Sequence, residues 1–394
     1  MKKKFACLAM AMVMVLSLAA CGGKKEDAPA AAPAESGSDS SVSVFKVGTI
    51  GPLSGDAAIY GQAVANGAKI AVDEINAAGG AIQFELQSQD DEADGEKSVN
   101  AYNTLMDWGM QVMVGPTTTG ASIAVSAQAN ADRTFMLTPS ASSVDVIDGK
   151  DNVFQVCFTD PNQGVASADY ISANMAGAKV AVIYRNDDAY SQGIRDTFVS
   201  EAAAKGLEVV YEGTFTADTA TDFSVQLTGA QSAGADTVFL PIYYQPASVI
   251  LTQAAAMNYA PTFFGVDGMD GILTMEGFDT SLAEGVMLLT PFSADAEDER
   301  TQNFVKAYQA AYGDVPNQFA ADAYDGVYIM KAALEAAGCT ADMSSADICE
   351  AVVSVMTTIS VDGLTGQGMT WSADGAVSKA PMAVVIKDGV YVTP

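Results

Sequence analysis

Short apolar runs alternate with longer segments of helical periodicity from Phe45 to the C-terminus. Residues 45–52 are rich in β-branched and aromatic side chains and end in Gly-Pro, a pattern typical of a strand. The next segment, 60–77, predicts a helix because apolar residues recur at helical spacing, at Val64, Ala68, Ala71 and Ile75. The same reasoning predicts strands at 82–88, 110–116, 133–140 and 152–158, and helices at 94–108 and 120–131. Such alternation favours an α/β fold with a mainly parallel sheet covered by helices.

The alternation starts again after residue 158. Strands are predicted at 178–187, 207–215, 236–244, 261–268 and 285–292, with helices at 161–175, 190–205, 222–233 and 246–258. Two more helices, 299–312 and 319–337, precede a hairpin with the turn Asp388-Gly389. The chain therefore contains two α/β units, and its late segments return to one or both of them.

The N-terminus has the pattern of an export signal. Three lysines precede an apolar stretch, residues 5–18, that is too short to span a bilayer comfortably. The stretch ends in Leu18-Ala19-Ala20-Cys21, which resembles a lipobox, where a small residue precedes a cysteine that is acylated. An ordinary signal peptide with a chance cysteine is the alternative. We predict a signal peptide at 1–20 and lipidation of Cys21, with the protein anchored on the extracytoplasmic face of the cell membrane.

Residues 22–43 are small, polar and interrupted by proline. Such a composition buries too little apolar surface to fold. We therefore expect residues 21–43 to be a lipidated tether that carries a folded body.

Composition excludes several classes of function. The chain of 394 residues has 19 Lys and Arg against 48 Asp and Glu, a net charge of −29, which disfavours nucleic-acid binding. It has no histidine, so Ser-His-Asp catalysis and His-ligated metals are excluded. None of its five cysteines forms a CxxC pair. We expect a binding protein rather than an enzyme, with no cofactor and no metal.

One pair of cysteines is close in sequence. Cys339 and Cys349 flank a short segment that we interpret as a turn. Outside the membrane a disulfide could close this loop, but a free pair is an equally open alternative, because sequence does not show the Cα separation.

Hydroxyl-rich loops follow two strands of the first unit. Residues 115–122 have two glycines at P-loop spacing, yet Ala121 stands where a P-loop needs lysine. The remaining features, a helix N-terminus and several hydroxyls, suit a carboxylate, although they also suit simple helix capping. Residues 138–143 form the second such loop. Because ligands bind at the carboxyl ends of parallel strands, the two loops are expected to converge on one small polar ligand.

The second unit offers an acid, and the two units together offer aromatic residues, at similar positions. Asp267 follows a strand and suits either an Asx turn or a ligand ammonium group. Tyr60, Tyr190 and Tyr243 each follow a strand, where aromatic residues pack loops or form the walls of a cleft.

These features together resemble the leucine/isoleucine/valine-binding protein family, the type I periplasmic solute-binding proteins of amino-acid ABC transporters. The resemblance extends from Phe45 to the C-terminus. It is carried by VGTIGPLSGDAAIYGQAVANGAKIAVDEINAAGG, YRNDDAYSQG, GVDG and FAADAYDGVY. It implies two α/β lobes joined by three hinge crossovers, which close over one amino acid. We assign 44–158 and 290–365 to lobe 1, and 159–289 and 366–394 to lobe 2.

The resemblance also implies roles for particular residues. Thr119 would bind the ligand carboxylate through its hydroxyl and N–H, and Ser142 would reach the carboxylate or the ammonium. Ser140 would offer its backbone carbonyl to the ligand ammonium group. Asp267, in the other lobe, would form an ion pair with the same ammonium group. The expected ligand-binding residues are Tyr60, Thr117, Thr118, Thr119, Ser140, Ala141, Ser142, Tyr190, Tyr243, Asp267 and Phe319.

The side-chain preference depends on Thr117 and Thr118, which replace apolar residues of the family. If both hydroxyls pointed into the pocket, small or polar amino acids would compete with branched ones. We expect them instead to cap the helix at Gly120, which leaves an apolar pocket for Leu, Ile or Val.

The resemblance implies a monomer that delivers a free amino acid to ABC permease subunits in the membrane. A ligand-sensing receptor on the same fold and a binder of another small or polar amino acid remain alternatives. An exported aspartate-dependent hydrolase is disfavoured, since no pair of carboxylates has an evident acid–base context.

Overall fold

The computed structural model describes residues 42–394. The predicted signal peptide, Cys21 and most of the predicted tether lie outside the described residues. Ser41–Pro394 form one unit, which contains two sheets.

The first sheet has five parallel strands in the order β2-β1-β3-β4-β5. The strands are β1 (Ser43–Gly51), β2 (Ile82–Asp90), β3 (Val112–Val114), β4 (Phe135–Thr138) and β5 (Val153–Gln155). The helices between them are α1 (Ala58–Ala78), α2 (Gly95–Trp108) and α3 (Thr119–Asp132). Each lies where the apolar periodicity predicted it.

The second sheet has seven strands in the order β12-β11-β10-β9-β8-β6-β7. Its middle part consists of β6 (Lys179–Arg185), β7 (Glu208–Phe215), β8 (Thr237–Leu240), β9 (Thr262–Gly265) and β10 (Met287–Thr290). The accompanying helices are α4 (Asp160–Asn174), α5 (Ala189–Lys205), α6 (Ser224–Ser232) and α7 (Tyr244–Ala256). The predicted hairpin, β11 (Met382–Lys387) and β12 (Val390–Val392), adds the antiparallel edge.

Three late helices return to the first lobe: α8 (Glu299–Tyr312), α9 (Gln318–Ala336) and α10 (Ser345–Met356). Helix α9 packs along α1. The two approach so closely that a Cβ at Gly67 would lie 2.0 Å from the Ala320 carbonyl oxygen, so this position requires glycine.

The segment between Cys339 and Cys349 contains more than the turn that we predicted. Helix α10 begins at Ser345, after the Ser344 side chain accepts a hydrogen bond from the Asp347 N–H. Cys349 thus lies inside a helix, on its buried face. Both cysteines are buried free thiols. Of the two alternatives left open above, the structure contains the unbonded pair.

The last crossover between lobes lies later than we assigned it. Residues 366–379 were placed in lobe 2, but this segment is attached to lobe 1. Trp371 is buried, and its Nε1–H donates to the Gln155 carbonyl at 2.8 Å. Lys379 Nζ lies 2.6 Å from Asp322 Oδ1 on α9, with both side chains buried. The crossover therefore falls between Lys379 and Met382.

In each lobe apolar side chains fill the space between the sheet and its helices, and one apolar cluster continues from lobe 1 into lobe 2. Phe135 and Phe154 stack with centroids 5.5 Å apart in lobe 1, and Phe198 and Phe239 stack at 4.0 Å in lobe 2. Full burial of such a side chain contributes about 1.5–3 kcal/mol. These cores fix the strands, so the loops after their carboxyl ends meet between the lobes. Within residues 42–394, no helix combines the length and apolarity needed to cross a bilayer.

Candidate ligand-binding site

A small pocket lies where the two lobes meet, and it brings together nine of the eleven predicted ligand-binding residues. They are Tyr60, Thr117, Thr118, Thr119, Ser140, Tyr190, Tyr243, Asp267 and Phe319. All of them except the half-buried Tyr243 are buried. A ligand can therefore reach this pocket only when the lobes separate.

The loop after β3 carries the three threonines. Its backbone is held by Ser122 Oγ and Thr138 Oγ1, which donate to the Pro116 carbonyl at 3.1 and 2.7 Å. Thr117 Oγ1 donates to the Ile50 carbonyl of β1 at 3.2 Å. The Thr117 hydroxyl is thus engaged by the protein itself.

The other two threonines keep their hydroxyls free. Thr118 is the N-cap residue of α3 but makes no side-chain cap, so the expected capping by Thr117 and Thr118 is wrong for both. The hydroxyl oxygens of Thr118 and Thr119 are buried without a hydrogen-bond partner among the described residues. They stand at a helix N-terminus, where backbone N–H groups also favour an anion. This corner of the pocket suits a carboxylate.

Ser140 connects the two hydroxyl-rich loops. Its Oγ donates to the Thr117 carbonyl at 2.7 Å. Ala141 and Ser142, which we also expected to contact the ligand, do not line the pocket. The Ala141 carbonyl accepts from Gln155 Nε2 at 2.8 Å, and the Ser142 carbonyl accepts from the Asp160 N–H at 2.9 Å. Their polar groups hold the first crossover in place.

Asp267 is the acidic residue of the pocket and follows β9 in lobe 2. Its Oδ1 accepts from Tyr190 OH at 2.5 Å and from the Gly268 N–H at 2.7 Å. Its own N–H donates to Gln163 Oε1 at 3.1 Å. Burial raises the pKa of Asp267 to about 6. A buried carboxylate held in this way suits a ligand ammonium group, which would favour its charged form.

Aromatic rings close the pocket. The Tyr60 ring lies 4.5 Å from that of Phe319 and 5.2 Å from that of Tyr243, measured between centroids. Tyr243 in turn lies 4.9 Å from Tyr190. Burial raises the pKa of the Tyr60 and Tyr190 hydroxyls, so both remain protonated donors. The rings exclude water from the polar groups between them.

Sequence reasoning missed three residues that connect the lobes here. Tyr60 OH donates to the carbonyl of Gly268, which also lines the pocket. Gln318 Nε2 donates to the Asp267 carbonyl at 3.1 Å, and Gln163 Nε2 donates to Ser142 Oγ at 3.5 Å. No local pattern identifies these residues, because each contact joins segments that are distant in sequence.

Comparison with known proteins gives concordant matches. A family model for periplasmic binding proteins matches residues 44–389. Leu/Ile/Val-binding protein homolog 3 of Brucella melitensis is 32% identical over 305 residues, which cover 76% of this chain and 81% of that protein.

Two solved structures share the fold over 89% of this chain. LivJ of Streptococcus pneumoniae, a branched-chain amino acid transporter substrate-binding protein in complex with isoleucine, is 30% identical, with a TM-score of 0.78 and 100% of its chain covered. The leucine-binding protein LivK of Thermotoga maritima is 25% identical, with a TM-score of 0.79 and 97% of its chain covered.

Proposed function

Since the chain belongs to the leucine/isoleucine/valine-binding protein family of periplasmic binding proteins, we propose that it binds a free branched-chain amino acid between its lobes and delivers it to an ABC permease. Its relatives are solute-binding proteins of ABC transporters and not enzymes. The permease supplies the membrane passage, and the binding protein supplies capture and selectivity.

The proposal rests on one observation: one side of the pocket suits an anion, and the opposite side suits a cation. Thr118 and Thr119 present unpartnered hydroxyls at the N-terminus of α3, whereas Asp267 presents a buried carboxylate from the other lobe. An α-amino acid carries a carboxylate and an ammonium group on one carbon, so it satisfies both lobes at once. Its binding therefore favours the closed arrangement.

The walls favour an apolar side chain. Tyr60, Tyr243 and Phe319 contribute rings, and the Thr117 hydroxyl is already satisfied by the Ile50 carbonyl. Burying a ligand hydroxyl beside such walls costs free energy unless it finds a partner. The isoleucine complex of the similar LivJ supports the same preference.

Isothermal titration calorimetry of ligand-free protein with leucine, isoleucine, valine and threonine tests the proposal. Valine and threonine have nearly equal volumes and differ by a methyl against a hydroxyl. We expect valine to bind more tightly than threonine. Tenfold preference for threonine would overturn the branched-chain assignment, and no heat with any common amino acid would overturn amino-acid binding itself.

We also propose that the mature protein is anchored through a lipid on Cys21, on the extracytoplasmic face of the membrane. The order of basic residues, apolar stretch and lipobox supports this assignment. Membership of a periplasmic binding protein family agrees with export.

A further inference from the structure

The turn that carries Asp267 is held by hydrogen bonds from both lobes. Asp267–Met269 form a short 3₁₀ turn after β9 in lobe 2. The Asp270 N–H closes this turn by donating to the Asp267 carbonyl at 2.9 Å. The same carbonyl accepts a second hydrogen bond, at 3.1 Å, from Nε2 of Gln318, which lies on α9 of lobe 1. The position of this lobe 2 acid therefore depends in part on a side chain of lobe 1.

Gln318 is itself fixed through its main chain. It is the first residue of α9, and the Asn317 side chain caps this helix by accepting from the Ala320 N–H at 3.2 Å. The Gln318 N–H donates to Asp270 Oδ2 at 2.9 Å, so the main chain and the side chain of Gln318 bind the same turn. Only 2% of Gln318 is exposed, so water does not compete for these hydrogen bonds.

The other contacts of Asp267 come from lobe 2. Its Oδ1 accepts from Tyr190 OH and from the Gly268 N–H, which leaves Oδ2 for the ligand ammonium group. Its N–H donates to Gln163 Oε1. These three partners belong to the same lobe as Asp267, so their contacts persist when the lobes separate. The contact with Gln318 exists only when the lobes meet, and closure thus adds one constraint on the position of Asp267.

We propose that Gln318 is a positioning residue, which on closure of the lobes holds the turn of Asp267 where Oδ2 pairs with the ligand ammonium group. The proposal rests on the proposed function and deepens it, since a residue of lobe 1 takes part in the recognition made by lobe 2. The attraction between two charges depends on their separation, and more strongly in a buried site than in water. Selection for an ammonium group is therefore completed only in the closed arrangement.

A double-mutant cycle separates this role from a contact that only holds the lobes together. Gln318→Met removes the donor and keeps an unbranched side chain of similar length. Asp267→Asn removes the charge that pairs with the ligand but keeps the carbonyl that Gln318 contacts. A contact that only stabilises closure contributes equally in both backgrounds, whereas a residue that acts through the Asp267 carboxylate contributes less once that carboxylate is gone.

Calorimetry with L-leucine at about pH 8, where Asp267 is ionised, measures the cycle. We expect Gln318→Met to raise the leucine Kd about tenfold in the wild-type background, because both the hydrogen bond between lobes and the placement of the carboxylate are lost. In the Asp267→Asn background the same substitution should raise the Kd less than about threefold, since only the hydrogen bond between lobes is lost.

Tyr244→Phe is the matched control. Tyr244 OH accepts from the Ile59 N–H at 3.4 Å, a contact between the lobes that does not involve Asp267. Its removal should weaken leucine by the same factor in both backgrounds. Thermal unfolding of each ligand-free variant shows whether it folds. If Gln318→Met does not fold, Gln318→Asn, whose side chain is one methylene shorter, provides the second test of the contact.

The outcomes distinguish this inference from the proposed function. Equal losses of leucine affinity on Gln318→Met in the two backgrounds overturn the inference and leave the function intact. If Asp267→Asn binds leucine too weakly to measure, 4-methylpentanoate, which lacks only the ammonium group of leucine, replaces that background. Its affinity should then fall at least threefold less than that of leucine, and an equal fall overturns the inference. If wild-type protein binds no common amino acid, the proposed function fails together with the inference.

Discussion

The three successive threonines at the start of α3 have two different roles. Thr117 attaches the loop to β1 through the Ile50 carbonyl, whereas Thr118 and Thr119 keep buried hydroxyls without partners among the described residues. A buried polar group left unpaired costs about 1–3 kcal/mol. A bound carboxylate would recover that free energy, so the loop is preorganised for an anion.

Substitution by valine, which has nearly the same shape as threonine but no hydroxyl, separates these two roles. Thr119→Val removes a hydroxyl that we assign to the ligand carboxylate, and a hydrogen bond to a charged group contributes about 1.5–3 kcal/mol. Affinity for leucine should fall about 10- to 150-fold by calorimetry. Thr117→Val, the matched control in the same loop, should change affinity less than about threefold. Equal losses of leucine affinity in the two variants would contradict this assignment of roles.

The pKa of Asp267 predicts opposite pH dependences for binding and stability. Burial raises this pKa from 3.8 to about 6, and the ligand ammonium needs the ionised form. The leucine Kd should be constant above about pH 7 and should rise about tenfold per pH unit well below pH 6. Without ligand, the folded state binds the proton more tightly than the unfolded state. The contribution to stability is therefore fully present below about pH 3.8 and is lost as pH rises through about 6.

Asp267→Asn is the control for both measurements. Asp91 also has its pKa raised to about 6 by burial, so the stability profile is interpreted as the difference between wild type and variant. Calorimetry and chemical denaturation at pH 5, 6 and 7 measure the two quantities. A leucine Kd that is the same at pH 5 and pH 7 would rule out this role for Asp267.

At the scale of elements, three helices begin at the cleft. Tyr60, Gln163 and Gln318 lie in the first turns of α1, α4 and α9, and each contacts the opposite lobe. The same turns thus supply contacts that hold the lobes together.

Tyr60→Phe tests the contribution of these contacts. The Tyr60 hydroxyl donates to the Gly268 carbonyl and accepts from the Tyr244 N–H at 3.2 Å, so its loss should destabilise the closed state. We expect leucine affinity to fall about five- to tenfold, mainly through faster dissociation measured by stopped flow. Tyr259→Phe removes a buried hydroxyl inside lobe 2 and should lower the melting temperature without changing dissociation. Unchanged dissociation in Tyr60→Phe would exclude this role for the Tyr60 hydroxyl.

Most elements could be predicted from sequence because apolar spacing is a local property. The family and the two-lobed α/β fold are confirmed. Helix α10 was missed although Ser344 and Asp347 have capping spacing, and Ile348, Val352 and Met356 form an apolar face. The two flanking cysteines favour a turn that a disulfide closes, whereas the spacing of the apolar residues between and beyond them favours a helix.

The pocket was predictable where side chains follow strand ends and unpredictable where the lobes meet. Thr119 begins α3 after the loop that follows β3, and Asp267 lies two residues after β9, so topology places both at the carboxyl ends of strands. Gly268 contributes through its carbonyl, which carries no sequence signature. The carbonyls of Ala141 and Ser142 bond to Gln155 and Asp160 near the first crossover instead of facing the pocket. Sequence does not show that these residues lie close together.

At the scale of the whole molecule, two sheets with their helices form lobes that are joined by three crossovers. Closure therefore requires backbone rotation only between the lobes, as in a hinge. The buried pair of Lys379 and Asp322 fixes one side of the third crossover to lobe 1. Because each sheet keeps its own helices, opening would separate mainly the residues that line the cleft.

The proposed anchoring is also a property of the whole molecule. Lipid acyl chains, rather than protein charge, would supply the membrane affinity of a chain with a net charge of −29. Cys21→Ser should leave a protein that is unprocessed or released, as shown by membrane fractionation and intact mass. Retention of a processed variant at wild-type level would reject lipidation at this cysteine.

The order of segments along the chain has a consequence for biosynthesis. Lobe 1 needs α9 to cover α1, and lobe 2 needs the final hairpin to complete its sheet, so neither lobe can finish before synthesis ends. Contacts between such distant segments slow folding. For a chain that is exported in the unfolded state, this delayed completion is expected to preserve competence for translocation until the last part of the chain has been made.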